Sequence, residues 1–149
     1  MKKLLTVLLF FIILFPAIAQ STEVFATKEG AISGYDAVAY FKQGEAIKGK
    51  KELSTVWNGA TWVFSSEQNL EAFKSAPEKY APQYGGWCAY GTSEGHLSPT
   101  QPDAFTIVND KLYLNYNKNV KVEWSKNQTE RIRAADENWP KLKNQKTTN

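Results

Sequence analysis

Cys88 and His96 are the only cysteine and the only histidine of the chain, and they stand eight positions apart. A thiol beside an imidazole base is the start of a nucleophilic site, because the base makes the thiolate that attacks. The same two side chains are metal ligands. One thiolate and one imidazole suit Cu(I) at low coordination number, or a Zn²⁺ ion completed by carboxylates, for which Asp36 and Glu94 are the candidates. A structural zinc needs four ligands and strains this inventory, so weak zinc binding or none is expected, with Cu(I) the better fit. Glu94 and Asp103 lie near in sequence, but no acid is marked as the group that would orient the imidazole of an enzyme.

Cys88 belongs to the most constrained stretch of the chain, Tyr84-Gly85-Gly86-Trp87-Cys88-Ala89-Tyr90-Gly91. Glycines at this density let the backbone take positive φ or approach another segment or a ligand closely, and the rings supply apolar area on both sides of the thiol. Such a stretch is a pocket wall or a tightly packed corner. As a wall, Tyr84, Trp87, Cys88 and Tyr90 would hold a small ligand or a protein partner without catalysis. As a corner, Cys88 is a buried thiol acting as a small apolar side chain. The wall demands no missing residue, and the residues favour a binding module over a metal site, and a metal site over a thiol enzyme.

The elements that must position these residues can be read from composition and pattern. A chain of 149 residues, 42% hydrophobic and 13% aromatic, suits one domain with a packed core. Residues 1–19 stand apart: Met1-Lys2-Lys3 is a basic start, residues 4–15 are apolar apart from Thr6, and Ala17-Ile18-Ala19 fits a small-x-small cleavage rule. They predict a signal peptide cut before Gln20, and hence a protein exported to the periplasm or secreted. The apolar run is too short for a membrane span, which takes about 20 residues, and no later run approaches that length. Loss of Lys2 and Lys3 leaves 16 basic against 15 acidic residues, a balance that gives no footprint for nucleic acid. A lone cysteine excludes an internal disulfide.

Residues 20–31 show no periodicity and read as a lead-in. Asp36 is placed to cap a short helical turn with Val38 and Phe41 inward. Residues 53–57 and 61–64 are β-branched and aromatic runs joined by Asn58-Gly59, the strongest short hairpin signal, with Trp57 and Trp62 as ordinary sheet packing. Ser65 with Gln68 makes a capping box for a helix that Pro77 stops. Residues 105–108 and 112–114 form a second hairpin across Asn109-Asp110-Lys111. Asn117 caps a helix carrying Val120 and Trp124, and residues 129–138 form another, with Ile132, Ala135 and Trp139 on one side, ended by Pro140. Residues 141–149 read as a polar tail. The fold class is α+β, a small antiparallel β-hairpin sheet packed by short helices.

Gly34-Tyr35-Asp36-Ala37-Val38-Ala39-Tyr40-Phe41, Trp62-Val63-Phe64-Ser65-Ser66, then Phe73, Pro77, Glu78 and Tyr80, then Tyr84-Gly85-Gly86-Trp87-Cys88-Ala89 and Lys111-Leu112-Tyr113-Leu114-Asn115 stand in the order of an exported YHS-domain protein. The chain resembles that family over residues 32–140. The resemblance implies a small α+β domain in a family linked to metal binding and mostly without assigned function. It also implies a departure: metal-linked relatives carry cysteines where this chain has Ala39, Ser65 and Asn69, none of which is a soft thiolate ligand.

Overall fold

In a computed structural model of the chain, which describes residues 23–145, the hairpins form where the sequence asks for them. Strands β3 (Lys50–Trp57) and β4 (Ala60–Phe64) are antiparallel and joined by Asn58 and Gly59, both at positive φ (49° and 72°), as a type I′ turn requires. Strands β5 (Phe105–Val108) and β6 (Lys111–Leu114) pair in the same way across Asn109 and Asp110, also both at positive φ; Lys111 is already in the strand. A third, shorter pair precedes them, β1 (Ala26–Thr27) with β2 (Gly30–Ala31). The fold is thus α+β, with three two-stranded antiparallel sheets among short helices. The predicted signal peptide lies outside the described residues.

Among the described residues, six α-helices complete it. Helix α1 (Ala39–Lys42) has Val38 at its N-cap, and Asp36 holds the turn before it through the Val38 and Ala39 N–H groups, whereas α2 (Glu67–Ser75) is capped by Ser66, whose hydroxyl accepts from the Asn69 N–H at 3.2 Å. The cap is one residue later than the Ser65 capping box predicts, because the Ser65 hydroxyl is engaged by Asp36 at 2.6 Å. Pro77 opens a further turn, α3 (Pro77–Tyr80), rather than a loop, since a proline at the first helical position gives up an N–H that needs no partner. Helices α4 (Ala89–Ser93), α5 (Lys118–Lys126) and α6 (Gln128–Leu142) follow, with Asn117 capping α5 through the Val120 N–H at 2.9 Å. Pro140 does not end α6. It stands in the last turn, where it removes one backbone bond, and the helix runs on to bury Leu142.

The buried side chains form two clusters. The first gathers Val24, Ile32, Val38, Tyr40, Trp62, Phe64, Phe73, Leu112 and Leu114; the second gathers Tyr84, Ala89, Tyr113, Trp124 and Ala135, with Trp139 and Ile132 against it. Strand β6 is the shared wall. Alternate residues of a strand point to opposite faces, so Leu112 and Leu114 enter the first cluster and Tyr113 the second. Phe73 is the hub of the first: its ring meets Trp57, Trp62 and Phe64 at centroid distances of 5.9, 5.0 and 5.0 Å. Truncating so enclosed a ring to alanine costs about 3–5 kcal/mol. Phe41, expected inward, is half-buried against Tyr80, and Tyr40 takes the interior position, its hydroxyl donating to the Pro102 carbonyl at 2.9 Å. The lead-in contributes Val24 and Ala31 to the core instead of lying outside it.

Candidate functional site

The glycine-rich stretch is explained first by the segment it packs against. Tyr84 (φ 56°), Gly85 (φ 59°) and Gly86 (φ 87°) turn in the left-handed region, and a Cβ on Gly85 would lie 1.7 Å from the Glu23 carbonyl oxygen. The Phe25 N–H donates to the Gly85 carbonyl at 2.9 Å, and the Phe25 ring meets Trp87 at 5.1 Å. The close approach that glycine permits is therefore made here by the N-terminal segment of the chain itself.

The four ligand-binding candidates separate. Trp87 lies half-buried against Phe25. Cys88 and Tyr90 line a cavity of about 230 Å³ together with Gly91, His96, Ser98, Tyr116 and Val120. Tyr84 lines a different cavity, of about 200 Å³, with Trp57, Trp62 and Trp139.

Cys88 is buried, and its sulfur accepts from the N–H groups of Tyr116 (3.2 Å) and Gly91 (3.4 Å) while the thiol lies 3.6 Å from Asn115 Oδ1. Burial pushes the thiol pKa up, and the Gly91, Tyr116 and Tyr90 N–H groups oppose that only in part. A thiol held protonated beside a carbonyl oxygen is not an activated nucleophile, which needs the opposite shift. His96 shares the cavity from an exposed position. Asn115 is itself buried, and its Nδ2 has no partner among the described residues.

The carboxylates proposed to complete an ion site are engaged elsewhere. Glu94 pairs with Arg131, whose guanidinium also lies over the Tyr90 ring at 4.1 Å and donates to the Tyr90 hydroxyl at 3.1 Å. That contact with Glu94 raises the Arg131 pKa. Asp36 is completely buried and accepts five hydrogen bonds: Oδ1 from the Val38 (2.9 Å) and Ala39 (3.1 Å) N–H groups, Oδ2 from the Ser65 N–H (2.8 Å), the Ser65 hydroxyl (2.6 Å) and Asn69 Nδ2 (2.8 Å). Among the described residues, no three His, Cys, Asp or Glu side chains are placed to share an ion. Cys88, His96, Asp36 and Glu94 are thus not brought together as one ligand set. Ala39, Ser65 and Asn69, where metal-linked relatives are expected to carry cysteines, all bond Asp36 instead, so that hydrogen-bond donors surround one carboxylate at these positions.

The second cavity joins Tyr84, expected as a wall residue, with Trp57, Trp62 and Trp139, which pattern reading assigned to the core. Trp57 and Trp62 meet edge to face at 5.9 Å in the first cluster, and Tyr84 and Trp139 do the same at 6.0 Å in the second. The cavity opens between these pairs, with Glu78 exposed among its lining residues. Trp57 stands next to the turn of its hairpin, so its distance from the middle of the sheet was legible. Nothing local places Trp139, 55 positions after Tyr84, against the same space.

A short helical α+β domain with an aromatic cleft between two cores defines a small domain with room for a ligand. Residues 38–84, about a third of the chain, match the family model described as the YHS domain, which supports reading the chain as a YHS-domain-containing protein. No curated protein and no solved structure matches it.

Proposed function

We propose that this chain is an exported, non-catalytic binding module of YHS type, and that its ligand seats in the cleft between the two hydrophobic clusters. The observation that supports this is the lining of the cleft: two rings from each cluster, Trp57 and Trp62 against Tyr84 and Trp139, around about 200 Å³. Cavities at the junction of two packed units, walled by aromatic side chains with a few polar groups, are where small ligands bind most often. Export rests on the leader read in residues 1–19. The test is a fragment screen by NMR on the indole N–H signals. Trp57, Trp62 and Trp139 should shift on binding, while Trp124, enclosed in the second cluster, stays in place. A screen whose hits all move Trp87 or the Cys88 side of the molecule, or that gives no hit, overturns the choice of cleft.

The second reading is a copper or zinc site on Cys88 and His96, and what favours it is that both line one cavity. Titrating the protein with Cu(I) against a competing chelator, beside Cys88→Ser and His96→Ala, tests it. Equal affinity in all three, or none in any, removes it.

A further inference from the structure

The cleft carries a statement about its ligand's charge. Two of its rings have their polar atoms engaged elsewhere, the Trp62 Nε1–H by the Trp57 carbonyl at 3.0 Å and the Tyr84 hydroxyl by Asp136 at 2.9 Å, while Asn58 and Gln83 stand among the other lining residues. Neither ring directs a polar handle at a guest and both are nearly closed to solvent, so the open ring surface of the cleft is that of the half-buried Trp57 and Trp139. Among the described residues, the charged side chains that line the cleft are Glu23 and Glu78, and no lysine, arginine or histidine lines it. Trp62 and Tyr84 are buried and Glu78 is exposed, so the rings lie deep and the Glu78 carboxylate marks the mouth. Its volume lies below the roughly 300–1,000 Å³ of pockets for drug-sized ligands, which fits a head group of a few heavy atoms.

We propose that the cleft binds a small alkylated ammonium ion, with the cationic head among Trp57, Trp62, Tyr84 and Trp139 and the field of Glu78 drawing it in. This rests on the cleft being the ligand site and adds the chemical class. A methylated ammonium has two properties the walls match. Its charge is attracted by ring quadrupoles, most strongly by tryptophan and once water is excluded, and a quaternary nitrogen has no N–H that burial would leave without an acceptor. An anion would meet the Glu78 carboxylate and, among the described residues of the lining, no cation.

Choline and its neutral carbon isostere, 3,3-dimethylbutan-1-ol, separate charge from shape. By isothermal titration and tryptophan fluorescence on the purified protein, choline is expected to bind at least about tenfold more tightly than the alcohol, the factor a desolvated cation–π contact supplies. Glu78→Gln, at an exposed position, should weaken choline by about two- to fivefold and leave the alcohol unchanged. Trp139→Leu keeps apolar area without the ring and should remove the preference for choline; its melting temperature is measured beside it, and Glu78→Gln serves as the independent variant if Trp139→Leu does not fold. Equal binding of choline and the alcohol overturns the cation proposal while leaving the cleft as a binding site. Absence of choline binding overturns it too, and the fragment screen on the indole signals then decides separately whether the cleft binds anything.

Discussion

Replacing Asp36 by alanine removes one acceptor of five hydrogen bonds in a place water does not reach, since Asp36, Val38 and Ala39 are fully buried and Asn69 nearly so. The Ser65 hydroxyl and the Asn69 amide can rotate toward other acceptors. The Ala39 N–H keeps the Asp36 backbone carbonyl at 3.2 Å, but the N–H groups of buried Val38 and half-buried Ser65 cannot turn elsewhere, because the backbone holds them. Two orphaned donors at about 1–3 kcal/mol each, offset by no longer burying a carboxylate, give a net loss of about 2–4 kcal/mol. For a domain of this size that is a fall of roughly 6–15 °C in melting temperature. Asp36→Asn separates the two oxygens. It keeps Oδ1 for the first turn of α1 but turns a donor toward the Ser65 N–H, and the Asn69 amide can flip to meet it, so about half the loss is expected. Circular dichroism melts and urea titrations of both variants, with Asn69→Ala to complete a double-mutant cycle, measure this; the Asp36–Asn69 coupling should be about 1–3 kcal/mol. An Asp36→Ala protein within about 1 kcal/mol of the parent would refute the node, and an asparagine variant as damaged as the alanine one would refute the division of labour between the oxygens.

Two glycines should respond differently to a side chain. At Gly59 (φ 72°) a Cβ would meet nothing within 4 Å, so Gly59→Val costs only left-handed backbone strain, about 1–3 kcal/mol in thermal melts. At Gly85 the Cβ would collide with the Glu23 carbonyl, so Gly85→Ala should cost more than Gly59→Val and expose the Phe25 N–H to hydrogen exchange; unaltered exchange would show that the N-terminal segment does not need this contact. The buried thiol makes stability depend on alkaline pH. Because its folded pKa is raised, its contribution is whole below the unfolded thiol's pKa of roughly 8.5 and is lost as pH rises from there toward the folded value. Cys88→Ser should flatten the stability profile from about pH 8.5 upward, and iodoacetamide should label Cys88 readily only after unfolding; fast native labelling near neutrality would restore the nucleophile.

What the sequence determined by itself was local. Both hairpins, the turn held by Asp36, the cap at Asn117, and the burial of Trp62 and Trp124 were legible, because turn geometry, capping and strand alternation depend on residues within a few positions of one another. Where neighbours competed for one partner the reading slipped: Ser65 has the look of a cap, and only the distant Asp36 carboxylate takes its hydroxyl and passes the cap to Ser66. The stretch from Tyr84 to Gly91 was recognised as constrained, but whether its glycines face a ligand or the chain's own N-terminal segment depends on a backbone crossing some sixty residues away in sequence. Tertiary structure alone decided that Cys88 shares a cavity with His96 while Asp36 lies buried in its own hydrogen-bond network, and that Trp57, Trp62, Tyr84 and Trp139 wall one cleft. The physical reason is that β6 separates two cores, and a space between two cores is bounded by side chains whose proximity no sequence period records.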